Sequence, residues 1–146
     1  MADFRNLDEM MMVSPQIGAE DVADAARQGV TLIINNRPDG ESPAEPQGDE
    51  IAGAAEAAGI AYLAIPVTHA GFSMPQVDGM AQAIEQAAGP ILAYCRSGTR
   101  STLLWAMAQA KLGMAPDAIA ARAAAAGYDV GPVRGTIDML AAQSGE

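Results

Sequence analysis

The sequence contains only one cysteine and one histidine among its 146 residues, and its eight basic residues are outnumbered by 18 acidic ones. A single cysteine excludes an intramolecular disulfide and suits a reducing compartment, so we expect a cytoplasmic protein. One cysteine and one histidine are too few for a metal centre built from these ligands, and we expect neither a metal nor another cofactor. The net charge of −10 excludes the extended basic face on which general nucleic-acid binding depends.

Long apolar runs are absent as well. No run approaches the ~20 residues that a membrane-spanning helix needs, and the polar, acidic start of the chain lacks the pattern of a signal peptide. Half of the residues are hydrophobic and 18% are charged, which is the balance of a globular protein with a buried core. We therefore predict a single domain over residues 1–146 that binds neither nucleic acid nor a membrane.

Strand and helix signals alternate along the chain, which favours an α/β fold with a mostly parallel central sheet flanked by helices. Short β-branched or apolar runs predict strands at 10–13, 30–35, 61–67 and 91–94. Helical spacing, bounded by glycine and proline, predicts helices at 19–28, 49–58, 76–88, from Ser101 to Leu112, 116–126 and 133–143. The proline-containing segment 41–48 is predicted to be a flexible loop.

Ligands bind at the carboxyl ends of the strands in such a sheet. Three predicted loops converge there: residues 37–39, 68–71 and 95–100. His69, the only histidine, therefore lies in a loop that is expected to face Cys95. A lone histidine is more often structural, and its position alone makes it only a candidate.

The most informative segment is Tyr-Cys-Arg-Ser-Gly-Thr-Arg-Ser at residues 94–101, in which Cys95 closes the last predicted strand. Small residues and then a predicted helix follow, so loop N–H groups and the positive end of the helix dipole should point at an anion above the sulfur. Arg96 and Arg100 add positive charge, which favours the thiolate over the thiol. Desolvating two guanidinium groups costs free energy unless they have an anionic partner, so their presence argues against Cys95 being only a small, inert, buried residue.

Four segments together resemble the beta-lactamase hydrolase-like protein family, phosphatase-like domain (DUF442). They are Gln16-Ile17, Ile33 to Glu41, Tyr62 to Val67 and Cys95 to Ser101, and the resemblance covers about Asn6 to Leu112. It implies the three-layer fold of cysteine-dependent, dual-specificity phosphatases, with a catalytic cysteine. The family is described both as phosphatase-like and as sulfurtransferase-like, and it occurs beside metallo-beta-lactamase-fold enzymes. The resemblance therefore also implies such an enzyme as a partner.

Two departures from the phosphatase pattern favour sulfur transfer. A tyrosine phosphatase has Cys-x5-Arg, whereas Cys95 and Arg100 form Cys-x4-Arg, which resembles the rhodanese loop Cys-Arg-x-Gly-x-Arg. A shorter ring of N–H donors encloses a smaller anion. His69 lies where dual-specificity phosphatases carry an aspartate as general acid, and a histidine differs in pKa and geometry. Sulfane-sulfur transfer needs no such acid, because low-pKa thiols leave as anions.

Three functions remain open, and sulfur transfer is expected first. In it, Cys95 takes a sulfane sulfur from a donor as a persulfide and passes it to a thiol acceptor. The alternative is a phosphomonoesterase in which Cys95 forms a phosphocysteine, His69 or Asp39 protonates the leaving group and Ser101 assists departure of the thiolate. The third is a non-catalytic anion-binding or partner-docking module.

Arg100 is expected to bind the transferred group in either reaction, with a small anionic, thiol or persulfide molecule as substrate. The residues expected to contact the substrate around it are Arg37, Asp39, Arg96, Ser97, Gly98 and Thr99.

Overall fold

The computed structural model describes residues 3–41, 44–68 and 71–144. The described residues form a five-stranded sheet in the order β1-β2-β5-β3-β4, and only β1 is antiparallel to its neighbour. The strands are β1 (Arg5–Asn6), β2 (Met11–Ser14), β3 (Leu32–Asn35), β4 (Ala61–Ala64) and β5 (Ile91–Tyr94).

Six α-helices within the described ranges cover the two faces of the sheet, which gives the predicted three-layer α/β fold. On one face lie α1 (Ala19–Arg27) and α2 (Gly48–Ala57), and on the other lie α3 (Met74–Gln86), α4 (Thr99–Lys111), α5 (Pro116–Ala125) and α6 (Arg134–Ser144). No helix among the described residues is long and apolar enough to cross a membrane.

Alternate side chains of each strand enter opposite cores. In β5, Ile91 and Ala93 pack beneath α3 to α6, whereas Leu92 and Tyr94 face α1 and α2. Successive side chains of a strand point to opposite faces, so an uninterrupted apolar run is buried on both sides. Each residue of β5 is at most 1% exposed. The strand that precedes Cys95 therefore runs through the centre of the molecule.

The four parallel strands end at the same edge of the sheet. Ser14, Tyr94, Asn35 and Ala64 occupy matching positions in the pairing of neighbouring strands. The pairing continues one residue further, because the N–H of Cys95 donates to the carbonyl oxygen of Ser14 at 3.3 Å. The loops that follow β5, β3 and β4 therefore leave the sheet side by side, as the sequence predicts.

The structure differs from the predicted elements mainly at their ends. The two-residue strand β1 was not predicted, because two residues carry no periodicity. The strand predicted at 61–67 ends at Ala64, although Ile65 and Val67 still donate backbone hydrogen bonds to Asn35 and Asn36. The helix predicted from Ser101 begins at Thr99.

Candidate active site

Cys95 lies at the bottom of a loop between β5 and α4. Its side chain is completely buried, and the N–H of Gly98 donates to the sulfur at 3.1 Å. Gly98 has φ of +89°, a left-handed conformation that favours glycine, and it lets the chain turn from the loop into α4. The beginning of α4 directly after this turn brings the positive end of the helix dipole close to the sulfur.

Hydrogen bonds from several parts of the chain hold this loop. The hydroxyl of Thr102, in the first turns of α4, donates to the carbonyl oxygen of Gly98 at 2.8 Å. The N–H of Gln16, just beyond β2, donates to the carbonyl oxygen of Arg96 at 3.3 Å. From the C-terminal part of the chain, the hydroxyl of Tyr128 donates to the carbonyl oxygen of Ser97 at 3.1 Å. The loop is thus fixed from three directions around the sulfur.

Arg100 lies in the first turn of α4 and is held by the loops that follow β3 and β4. Its Nη1 and Nη2 donate to the two carboxylate oxygens of Glu41 at 2.7 and 2.9 Å, and Nη1 also donates to the carbonyl oxygen of Val67 at 2.8 Å. These bonds use the terminal edge of the guanidinium, and no hydrogen bond to another described residue uses the edge formed by Nε and Nη2. Glu41, first, and then Cys95 raise the pKa of Arg100. The remaining edge is therefore placed to bind an anion at the sulfur.

Glu41 connects two arginines. Its Oε1 accepts a hydrogen bond from Nε of Arg37 at 2.9 Å in addition to the pair with Arg100. Hydrogen bonds from Arg100 and Arg37 lower the pKa of Glu41 to about 2 against the opposing effect of burial, so its carboxylate stays charged throughout the physiological range. Arg37 is only 7% exposed and also bonds to Glu45 and Gln16.

A cavity of about 430 Å³ opens at the loop. It is lined by Glu41, Thr68, Arg96, Ser97 and Arg100. Arg96 is exposed and has no ion pair within the described ranges, whereas most of the other basic residues are paired. The entrance therefore carries an uncompensated positive charge on a molecule whose net charge is −10.

Of the six predicted substrate-binding residues, only Arg96 and Ser97 line this cavity. Arg37 and Asp39 line a separate space of about 10 Å³ with Tyr94, which is room for about one water molecule. Oδ1 of Asp39 accepts a hydrogen bond from the N–H of Gly48 at 2.8 Å, at the start of α2. The structure thus pairs Arg37 with Glu41 and places Asp39 at a helix terminus, and their predicted roles in binding substrate stay predictions.

The other predicted residues fall into three groups. Ser97 and Gly98 lie in the loop, and Thr99 is the first residue of α4. Ser101 is buried, and its hydroxyl has no hydrogen-bond partner among the residues that the structure describes. His69 lies outside the described residues, so its predicted role as a general acid is not tested.

Glu41 and Tyr128 were not assigned a function from the sequence. Glu41 stands four residues after Arg37, within a segment that the family resemblance already included, and this spacing was an available signal for an ion pair. Tyr128 follows α5 in an alanine-rich region without a motif. No local signal connected it to the loop at Cys95.

Comparison with known proteins identifies the family of this chain. Residues 3–112 match the model of the family described as beta-lactamase hydrolase-like protein, phosphatase-like domain. The chain belongs to this family. Its Cys95 loop lies within the matched residues, whereas Tyr128 lies beyond them.

The curated relatives that this chain matches are longer proteins. A beta-lactamase hydrolase-like protein of Xylella fastidiosa is 35% identical over 127 residues, which are 86% of this chain but only 30% of that protein. The chain thus spans less than a third of the length of this relative.

Solved structures share the fold. A candidate phosphatase from Neisseria meningitidis Z2491 is 39% identical, with a TM-score of 0.81 over 93% of this chain and 96% of that one. Tk-PTP in its active form is 16% identical, with a TM-score of 0.76 over 96% of this chain and 97% of that one.

These relatives agree with the prediction of an enzyme that uses a cysteine nucleophile. The description of the family as phosphatase-like and the 39% identical candidate phosphatase favour the phosphatase alternative over sulfur transfer, for which the relatives offer no support.

Proposed function

We propose that this domain hydrolyses phosphate monoesters through a phosphocysteine on Cys95. The observation that carries the proposal is the arrangement of the sulfur, the N–H of Gly98 and Arg100. The sulfur lies at the bottom of the loop, and Arg100 is clamped by Glu41 with one guanidinium edge left for phosphate oxygens. Membership of a phosphatase-like family supports the same reaction.

The reaction would have two steps. The Cys95 thiolate attacks phosphorus, the bond from phosphorus to the ester oxygen breaks, and the leaving oxygen takes a proton from a general acid. Arg100 and the loop N–H groups stabilise the oxygens of the transferred group, whose charge they face in the transition state. Water then attacks the phosphocysteine, which releases inorganic phosphate and the thiolate, with Ser101 as the predicted aid to thiolate departure.

Sulfane-sulfur transfer is the second candidate, and the short ring Cys-x4-Arg favours it. The Cys95 thiolate would attack the outer sulfur of a donor, and the donor's thiolate or sulfite would leave with the electrons of the broken sulfur–sulfur bond. An acceptor thiolate would then remove the sulfur from the persulfide and regenerate Cys95. Neither step needs a general acid.

One pair of assays separates the two reactions. We expect release of phosphate from para-nitrophenyl phosphate that is abolished in Cys95→Ser, a nearly isosteric change that should leave thermal unfolding unaltered. Incubation with thiosulfate followed by intact-mass measurement should add no sulfur to the native chain. A stable gain of one sulfur without phosphate release would overturn the proposal in favour of sulfur transfer. The absence of both activities would instead favour a non-catalytic anion-binding module.

His69→Ala tests the general acid. For phosphate hydrolysis with His69 as the acid, we expect a loss on the order of 10²–10⁴-fold with alkyl phosphates and a smaller loss with para-nitrophenyl phosphate, whose leaving group needs little protonation. A small, uniform loss across leaving groups would remove His69 from this role.

A further inference from the structure

Tyr128 reaches the Cys95 loop from a part of the chain that has no place in the proposed reaction. Its hydroxyl donates to the carbonyl oxygen of Ser97 at 3.1 Å, across 31 residues of sequence. The same peptide group carries, on its other side, the N–H of Gly98, which donates to the Cys95 sulfur at 3.1 Å. The phenol, the peptide and the sulfur thus form one continuous chain of hydrogen bonds.

This geometry constrains one peptide plane at both ends. A rotation of the peptide between Ser97 and Gly98 would turn its N–H away from the sulfur, and glycine at φ of +89° offers little steric resistance to such a rotation. The hydrogen bond from Tyr128 to the carbonyl oxygen opposes that rotation. It also polarises the peptide, which strengthens the bond that its N–H makes to a negatively charged sulfur.

The close approach of Tyr128 depends on Gly98. A Cβ at Gly98 would lie 2.2 Å from the Tyr128 hydroxyl oxygen, a distance that no real contact allows. Arg5 contacts the tyrosine ring, with its guanidinium 5.3 Å from the ring centroid. Its Nη1 donates to the carbonyl oxygen of Ala126 at 3.2 Å. Burial, opposed by Arg5 and assisted by the charge of Cys95, raises the pKa of Tyr128, so the phenol keeps the proton it donates.

We infer that Tyr128 is a positioning residue that holds the Ser97–Gly98 peptide with its N–H directed at the Cys95 sulfur. The inference rests on the proposed function only in taking Cys95 as the nucleophile, and it applies equally to phosphoryl and to sulfur transfer. The hydroxyl of Tyr128 bonds to the peptide and not to the sulfur among the described hydrogen bonds, so it acts through the peptide.

The test is the pH dependence of alkylation of Cys95 by iodoacetamide in the native chain, Tyr128→Phe and Tyr62→Phe. Tyr128→Phe keeps the ring and its contact with Arg5 but removes the donor. We expect its alkylation profile to move to higher pH and its rate at pH 7 to fall about three- to tenfold, the range that corresponds to loss of one hydrogen bond. Tyr62→Phe is the matched control, because its hydroxyl bonds to Asn35 Nδ2 at 2.9 Å, away from the loop.

Each outcome separates this inference from the proposed function. If the native chain reacts at low pH and Tyr128→Phe reacts identically, the positioning role is wrong while the nucleophile stands. If the native chain reacts only as an ordinary thiol, the proposed nucleophile fails and the inference fails with it. If the thermal unfolding midpoints of Tyr128→Phe and Tyr62→Phe are close, a difference in alkylation reflects a local change at the loop and not a general loss of stability. An equal shift of the alkylation profile in both variants would also overturn the inference.

Discussion

Arg100 makes three hydrogen bonds to other described residues, and these orient its side chain before an anion binds. The carboxylate of Glu41 accepts hydrogen bonds from Nη1 and Nη2, and the carbonyl oxygen of Val67 accepts a second one from Nη1. A side chain held in this way loses little conformational freedom when it binds an oxyanion, which is the advantage of a preorganised site. The planar fork is essential to the arrangement, because a single ammonium group cannot serve the carboxylate and the anion at once.

Arg100→Lys is therefore expected to lower kcat/KM for phosphate release by at least about tenfold, although the charge is kept. Arg134→Lys is the matched control, since Arg134 forms exposed ion pairs with Asp117 and Asp138 far from the loop in sequence. Steady-state kinetics and thermal unfolding of both variants measure the effect. Full activity in Arg100→Lys, with loss of activity in Arg96→Ala, would show that the two arginines have the opposite roles.

Glu41 makes the free energy of unfolding depend on pH in the acid range. Its pKa is about 2 in the folded protein against an ordinary value of 4.5, chiefly because of the bond from Arg100. A carboxyl group with a lowered folded-state pKa stabilises the fold fully above its unfolded-state pKa. Its contribution decreases as the pH falls from about 4.5 toward 2.

We expect Glu41→Gln to unfold more easily than the native chain at pH 6 and to lose less stability between pH 5 and pH 3. Urea unfolding at a series of pH values measures both quantities. Glu85→Gln, an exposed change on α3, serves as the control and should follow the native profile. Parallel profiles for Glu41→Gln and the native chain would show that the pair with Arg100 contributes nothing to this dependence.

At the scale of elements, the start of α2 explains the position of Asp39. Its carboxylate accepts from the N–H of Gly48, one of the N-terminal groups that a helix leaves without an internal partner. Gly48 is packed tightly here, since a Cβ would lie 2.9 Å from the Tyr62 hydroxyl and 3.0 Å from Oδ1 of Asp39. This contact holds Asp39 in the segment after β3 that also contains Arg37 and Glu41.

Asp39 can act as a helix cap or as the general acid, and the two roles predict different effects of substitutions at this residue. As a helix cap, Asp39→Ala should cost about 1 kcal/mol in the free energy of unfolding, and Asp39→Asn, which retains the acceptor oxygen, should cost much less. Neither should change the dependence of the phosphatase rate on the leaving group. Chemical unfolding and kinetics of the two variants measure this. A large loss of activity in a stable Asp39→Asn would instead identify Asp39 as the general acid.

At the scale of the whole molecule, a net charge of −10 surrounds a small positive region. Arg96 at the cavity entrance has no ion pair among the described residues, and neither has Arg122. Arg122 lines a different cavity with Met11 and Ile91, at the opposite end of the sheet. The two residues carry the same charge at different places. They can therefore separate local attraction at the entrance from the field of the whole protein.

We expect Arg96→Ala to slow alkylation of Cys95 by iodoacetate, an anion, about two- to fivefold more than alkylation by neutral iodoacetamide. Arg122→Ala changes the net charge equally and should leave the ratio of the two rates near the native value. The measurement is the pair of rates at low ionic strength, where screening is weakest. An equal change of the ratio in both variants would assign the effect to net charge alone.

Much of the architecture follows from the sequence, because it depends on neighbouring residues. The apolar run before Cys95, the alternation of strands and helices and the glycines and prolines at their ends act over a few residues, so they can be read in order. They predicted the parallel sheet, the loop at Cys95 and the edge at which Arg100 lies. The predicted boundaries differ by a few residues where hydrogen bonds between loops, such as those of Ile65 and Val67, replace regular pairing.

The partners of the loop could be decided only by tertiary structure. Glu41 and Arg100 are 59 residues apart, and Tyr128 and Ser97 are 31 residues apart. No local periodicity links such residues, since their distance depends on how the helices pack and where each strand ends. The sequence alone therefore determined that Cys95 lies at the carboxyl edge of a parallel sheet. The packing decided that Glu41 orients its arginine, that Tyr128 contacts its loop, and that Arg37 and Asp39 lie outside the cavity.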